Sequence, residues 1–163
     1  RSHPGARHGP RLRLYKAQPA PNNRKQPMRS SSTPETLRPP MPISYTIDDT
    51  HHIVRTVWSG DVTAADVRAH WLVFLDDPLV MALRRTLTDL RGAQLKFSGD
   101  ELYELIRDVV LPRLGDVGWK TAILVAQPEQ FGVSRQYQVF ARYSEDSIFH
   151  DEAPALAWLL ADQ

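Results

Sequence analysis

The plainest signal along the chain is alternation. Ile43, Tyr45 and Ile47 alternate with Ser44, Thr46 and Asp48, the two-residue period of a half-buried strand. Asp48-Asp49-Thr50-His51 has turn composition, and the β-branched and aromatic run Ile53–Trp58 predicts a second strand pairing back as a hairpin, ended by Gly60. The period then lengthens. Thr63 with Asp66 three residues on makes a helix start, Ala64, Val67, Trp71 and Phe74/Leu75 follow at helical spacing, and Pro78 closes that helix. Arg85–Leu90 predicts a third strand, left at Arg91-Gly92-Ala93. Ser98 and Glu101 form a capping box before a helix whose apolar face is Leu102, Leu105, Ile106, Val109 and Val110.

Thr121–Ala126 is almost continuously apolar, which predicts a central strand covered on both faces. Gln130–Tyr143 predicts a helix with Val133, Tyr137, Phe140 and Ala141 on one face, and Asp146–Phe149 a short strand. Asp151 then caps a last helix with Ala153, Leu156, Ala157 and Leu160 inward, Pro154 being tolerated in its first turn. The order ββαβαβαβα predicts an α/β domain over residues 42–163. Its expected core is a mixed, mostly parallel five-stranded sheet with about four helices.

Charge divides the chain in two. Residues 1–41 carry nine Lys/Arg against Glu35 alone, together with eight of the thirteen prolines, whereas residues 42–163 carry eleven Lys/Arg against eighteen Asp/Glu. The first stretch lacks the apolar content to offset its ordering entropy and is read as a disordered basic extension. It is a nucleic-acid arm, a linker, or an extension without function, and Met41 stands at the head of the patterned region as a candidate start. Nucleic acid is a partner only if that extension operates, because the remainder is acidic. The absence of cysteine excludes disulfides, thiolate metal sites and thiol catalysis. No apolar run approaches the roughly 18–20 residues that span a bilayer.

Three pieces of sequence carry a resemblance: SYTIDDTHHIVRTVWSGDVTAADV, TLTDLRGAQLKFSGDEL and SIFHDEAPALAWLL. Together they resemble the STAS superfamily, in its SpoIIAA-like branch of small bacterial proteins, across about residues 42–161. The resemblance implies a STAS-type α/β fold, a soluble cytoplasmic protein, and a non-enzymatic regulatory role exercised through protein–protein contacts, with a homodimer as one arrangement. In the anti-sigma-factor antagonist group a switch serine sits in an Asp-Ser-Ser-Gly turn before the second helix. Here the corresponding residues are Asp89-Leu90-Arg91-Gly92 and the first serine is Ser98, so that switch does not transfer residue by residue.

Ser98 is the candidate phosphoswitch, since a phosphate there adds about −1.5 to −2 charge at a helix N-terminus; its plainer role is an N-cap. Asp89 and Arg91 end one predicted parallel strand, and Gln127, Phe131 and Arg135 follow another. With Ser98 they predict one shallow surface at the strand carboxyl ends, where open α/β sheets bind ligands. Residues 91–105 are the place expected for a protein partner. The alternative is a small anionic or amphipathic ligand held by Asp89, Arg91, Gln127 and Arg135. His51 and His52 flank Asp48 and Asp49, but neighbours on an extended segment point to opposite faces, so no metal is expected. No cofactor is expected either. No nucleophile elbow, Walker loop or dinucleotide fingerprint is present, and no catalytic residues are assigned.

Overall fold

A computed structural model describes residues 41–114 and 117–161. The reading of residues 1–40 lies outside the described residues. The strands are β1 (Ile43–Asp48), β2 (Ile53–Thr63), β3 (Arg85–Lys96), β4 (Trp119–Leu124) and β5 (Ser144–Phe149). The helices are α1 (Ala64–Phe74), α2 (Pro78–Leu83), α3 (Gly99–Leu105), α4 (Leu111–Leu114), α5 (Pro128–Phe140) and α6 (Glu152–Leu160), with a π-helical turn (Ile106–Val110) joining α3 to α4.

The strands form one five-stranded sheet in the order β1-β2-β3-β4-β5. The hairpin β1–β2 is antiparallel and every later pair is parallel. Right-handed crossovers between successive neighbours all fall on one side of the sheet, so α1, α3 and α5 share a face. The last helix follows no further strand and folds onto the opposite face, where Ala155 and Leu159 pack on Ile53, Leu87, Ala122 and Leu124. β4 lies between these layers with all six residues buried, as its apolar run predicts.

Several boundaries differ from the sequence reading. Gly60 does not end β2: it takes φ +66°, and Ser59–Thr63 go on to pair with Gly92–Lys96. β3 likewise does not stop at Leu90. The register slips between Val57/Asp89 and Ser59/Gly92, so that Leu90 and Arg91 together oppose Trp58. This bulge changes the phase of the strand. Leu90 and Leu95, five residues apart and therefore on opposite faces of a regular strand, both line the same cavity under the helices. Pro78 does not close α1, which ends at Phe74; it opens α2 at the first-turn position where its missing N–H costs nothing, behind an Asp77 cap.

Helix phases also shift. α5 buries Gln130 and Ser134 more deeply than Val133, Tyr137 or Phe140. α6 buries Ala155 and Leu159 most deeply, with Leu156 and Leu160 half-buried against the same cluster and Ala153 and Ala157 exposed, because EAPALAWLL has no polar stripe to fix its rotation. Tertiary contacts fix it instead. Arg85 Nη1 donates to Leu159 O (2.9 Å) and Lys120 Nζ to Trp158 O (2.9 Å), two cations at the negative end of the α6 dipole. Lys120 also sits 4.5 Å from the Trp158 ring centroid.

Candidate functional site

The inner face of the sheet, under α1, α3 and α5, is threonine-rich where a bulky aliphatic core would be ordinary. Thr56 (β2), Thr86 and Thr88 (β3) and Thr121 (β4) form a cross-strand band, Thr56 paired with Thr88 and Thr86 with Thr121. Threonine suits a pleated strand but fills less space than leucine or phenylalanine. The room left above the band is a cavity of about 90 Å³, partly open to solvent. Its aromatic walls are Trp58, His70, Trp71, Phe74, Phe97, Trp119 and Tyr137, and Leu90, Leu95, Leu102, Ile123 and Val133 complete the apolar lining. The described lining contains no Asp, Glu, Lys or Arg.

Most polar groups around this space are satisfied within the protein. Thr56 Oγ1 donates to Thr88 Oγ1 (3.1 Å), Trp119 Nε1 to Thr86 Oγ1 (3.1 Å), and Ser134 Oγ to Gln130 O (2.8 Å). His70 is buried among Tyr45, Trp58 and Phe74, with ring centroids 6.0, 6.3 and 5.0 Å away. Burial lowers its pKa to about 4, so it is neutral at physiological pH. Trp58 is the exception. It is 7% exposed, and its buried Nε1 has no hydrogen-bond acceptor among the described residues.

Beside the cavity, behind Thr121 and Tyr137, lies a second polar group of residues. Asp146 pairs in register with Thr121, Ser144 Oγ donates to Asp146 Oδ2 (2.6 Å), and the Tyr137 and Tyr143 hydroxyls are 3.2 Å apart. Burial raises the Asp146 pKa to about 6, against the pull of the Ser144 and Thr121 hydroxyls, and pushes both tyrosines well above the ordinary range. Asp146 Oδ1 is buried without a partner among the described residues.

The sequence-predicted residues each make local contacts. Asp89 and Arg91 form a bidentate ion pair (Nε–Oδ1 2.9 Å, Nη2–Oδ2 2.8 Å), and the guanidinium holds the Asp89 carboxyl below its ordinary pKa. Asp89 shares the α6-side face with Leu87, whereas the cavity opens on the Thr86–Thr88–Leu90 face. Gln127 occupies the N-cap position of α5, Phe131 stands 44% exposed one turn on, and Arg135 bonds to Gln138 Oε1 (2.9 Å). Ser98 makes the predicted capping box: it accepts from Glu101 N (3.2 Å) while its own N–H donates to Glu101 Oε2 (2.8 Å). His51 Nδ1 and Arg55 Nε both engage Asp48 Oδ2 (2.9 and 2.8 Å), and the described residues contain no group of three or more His, Asp or Glu placed to hold a metal.

What joins the strand ends is Gln130, which the sequence reading did not single out. Its Oε1 accepts from Ala126 N (2.7 Å) and Gln127 N (3.0 Å), and its Nε2 donates to Leu90 O (2.7 Å) and Ala93 O (2.9 Å). One side chain thus ties the β3 bulge to the loop entering α5. The sequence signal was a glutamine three residues after the N-cap, a reciprocal capping position.

Among solved structures, the chain is similar to an uncharacterised protein of the DUF3478 family with a SpoIIAA-like fold from Shewanella loihica PV-4. The match has a TM-score of 0.51 at 18% sequence identity and covers 72% of this chain and 93% of that one. The fold is SpoIIAA-like. No protein-family model matches the chain, and no curated protein matches it. No helix among the described residues is long and apolar enough to cross a membrane.

Proposed function

We propose that this protein is a non-enzymatic ligand-binding module whose site is the cavity between the sheet and helices α1, α3 and α5. The observation that carries this reading is a space of about 90 Å³ walled by aromatic side chains over a band of threonines. A site of that size is smaller than the roughly 300 Å³ that encloses a drug-sized molecule, so it takes a compact ligand or the head of a longer one that reaches the opening. A mostly apolar wall with a few convergent polar groups is the common composition of such sites.

Two features favour this over a protein partner on residues 91–105. Leu95, Phe97 and Leu102 of that stretch line the cavity and Leu105 is in the core, which leaves Tyr103 as its exposed large apolar side chain. Tyr103 itself packs edge-on against Phe140. The strand-end cations also have partners: Arg91 is paired to Asp89 and Arg135 bonds to Gln138, which weakens the case for an anionic ligand there.

The test is a methyl-detected NMR titration with toluene. The reading predicts saturable shifts concentrated on Leu90, Leu95, Ile123 and Val133. Small, non-saturating shifts scattered over the surface would refute it.

A further inference from the structure

Among the residues that line the cavity, Trp58 stands apart. The hydroxyls of Thr56, Thr88 and Thr86 and the Trp119 indole are engaged with one another in pairs. Trp58, 7% exposed and lining the same space, keeps a buried donor with no acceptor among the described residues. Buried polar groups are normally paired, and an unmet buried donor is costly. A ligand that brings an acceptor to this position recovers that cost, and one that lacks it does not. Net charge is constrained separately. No Lys or Arg lines the described wall to neutralise an anion, and Asp146 lies just behind Thr121. Moving an unpaired ion into such a site is strongly unfavourable. Shape is the third constraint, because flat rings pack well against walls built from Trp58, Trp71, Phe97 and Tyr137.

From these we infer that the cavity selects compact, uncharged aromatic molecules bearing a hydrogen-bond acceptor, such as an aryl carbonyl, with the acceptor received by Trp58 Nε1. This rests on the cavity being the binding site, as proposed above, and specifies what it takes. Trp58 is then the specificity-determining residue. Discrimination comes from one donor rather than from overall fit, since a site with an unmet polar group rejects the analogue that leaves it unmet.

The experiment compares acetophenone, ethylbenzene and benzoate by ¹H–¹⁵N NMR on the full chain. The indole Hε1 resonance of Trp58 is identified by its loss in Trp58→Phe. One neutral hydrogen bond corresponds to roughly a three- to tenfold affinity difference. The expected result is that acetophenone binds about tenfold more tightly than ethylbenzene and moves the Trp58 Hε1 resonance. Benzoate should bind least, and Trp58→Phe should reduce acetophenone to the ethylbenzene level. If ethylbenzene and acetophenone bind equally with Trp58 Hε1 unmoved, the inference is overturned while the cavity remains a binding site. If benzoate binds as well as acetophenone, the exclusion of charge is overturned. If none of the three produces saturable shifts, the ligand-binding reading fails and this inference with it. Where Trp58→Phe does not fold, the Hε1 shift of the unmodified protein against the ethylbenzene control decides the outcome.

Discussion

Replacing Asp146 with asparagine should make the protein more stable at neutral pH and change how stability varies with acidity. Burial beside Tyr137 and Tyr143 lifts the Asp146 pKa from 3.8 to about 6. The folded state therefore holds this proton where the unfolded chain has released it. Stability from this carboxyl is complete below pH 3.8 and is lost as pH rises through 6. Two units at about 1.4 kcal/mol each give a loss of nearly 3 kcal/mol, which partial exposure of the side chain reduces to about 2 kcal/mol. His70 runs the other way. Its pKa falls from 6.5 to about 4 on burial, so its contribution is complete above 6.5 and is lost as pH falls through 4. Between pH 4 and 6 the two groups oppose each other, and their joint slope is shallow. Asp146→Asn removes one of them. Urea denaturation between pH 4 and 8 should show the variant about 2 kcal/mol more stable than the parent at pH 8. Its stability should also climb more steeply from pH 4 to 6.5, and adding His70→Phe should flatten that climb. A variant that is less stable at pH 8 with an unchanged slope would refute the assignment of a raised carboxyl pKa.

Other substitutions probe the frame that holds the site. Gln130→Leu strands the Leu90 and Ala93 carbonyls and the Ala126 and Gln127 amides, and should cost about 3 kcal/mol or more in urea denaturation, with faster hydrogen exchange at Ala126 and Gln127. Lys120→Met removes a charge-assisted bond at the α6 C-terminus and should cost about 1–2 kcal/mol in the same assay. Ser98→Ala should cost about 1 kcal/mol, whereas Ser98→Asp, which keeps a capping oxygen, should stay within about 0.5 kcal/mol of the parent in thermal unfolding. A large loss in Ser98→Asp would show that the acidic first turn of α3 does not tolerate added charge.

The sheet and most elements were legible because their signals are local. The alternation at Ile43–Asp48, the unbroken apolar run of β4 and the Ser98–Glu101 capping box each name their structure within a few residues. The β3 bulge was not legible, since it depends on which residue of β2 lies opposite Leu90 and Arg91, a fact of pairing rather than of the Arg91-Gly92-Ala93 sequence. The rotation of α6 escaped for a related reason: an all-apolar helix takes its phase from Arg85 and Lys120 on neighbouring strands. The cavity was the largest omission. The Thr56, Thr86, Thr88 and Thr121 side chains read singly as ordinary strand residues, and only strand pairing stacks them into a band. Trp58 and Tyr137 pack against the core, but each also presents a surface to the cavity.

The most direct test of the account is a crystal structure grown with 4-bromoacetophenone, with the bromine located by its anomalous signal. The account predicts a bromine peak in or at the mouth of the cavity bounded by Trp58, His70, Thr88 and Phe97, with the carbonyl oxygen within hydrogen-bond distance of Trp58 Nε1. A bromine bound only at the Asp89–Arg91 strand ends, or on the exposed face of α3, would contradict it.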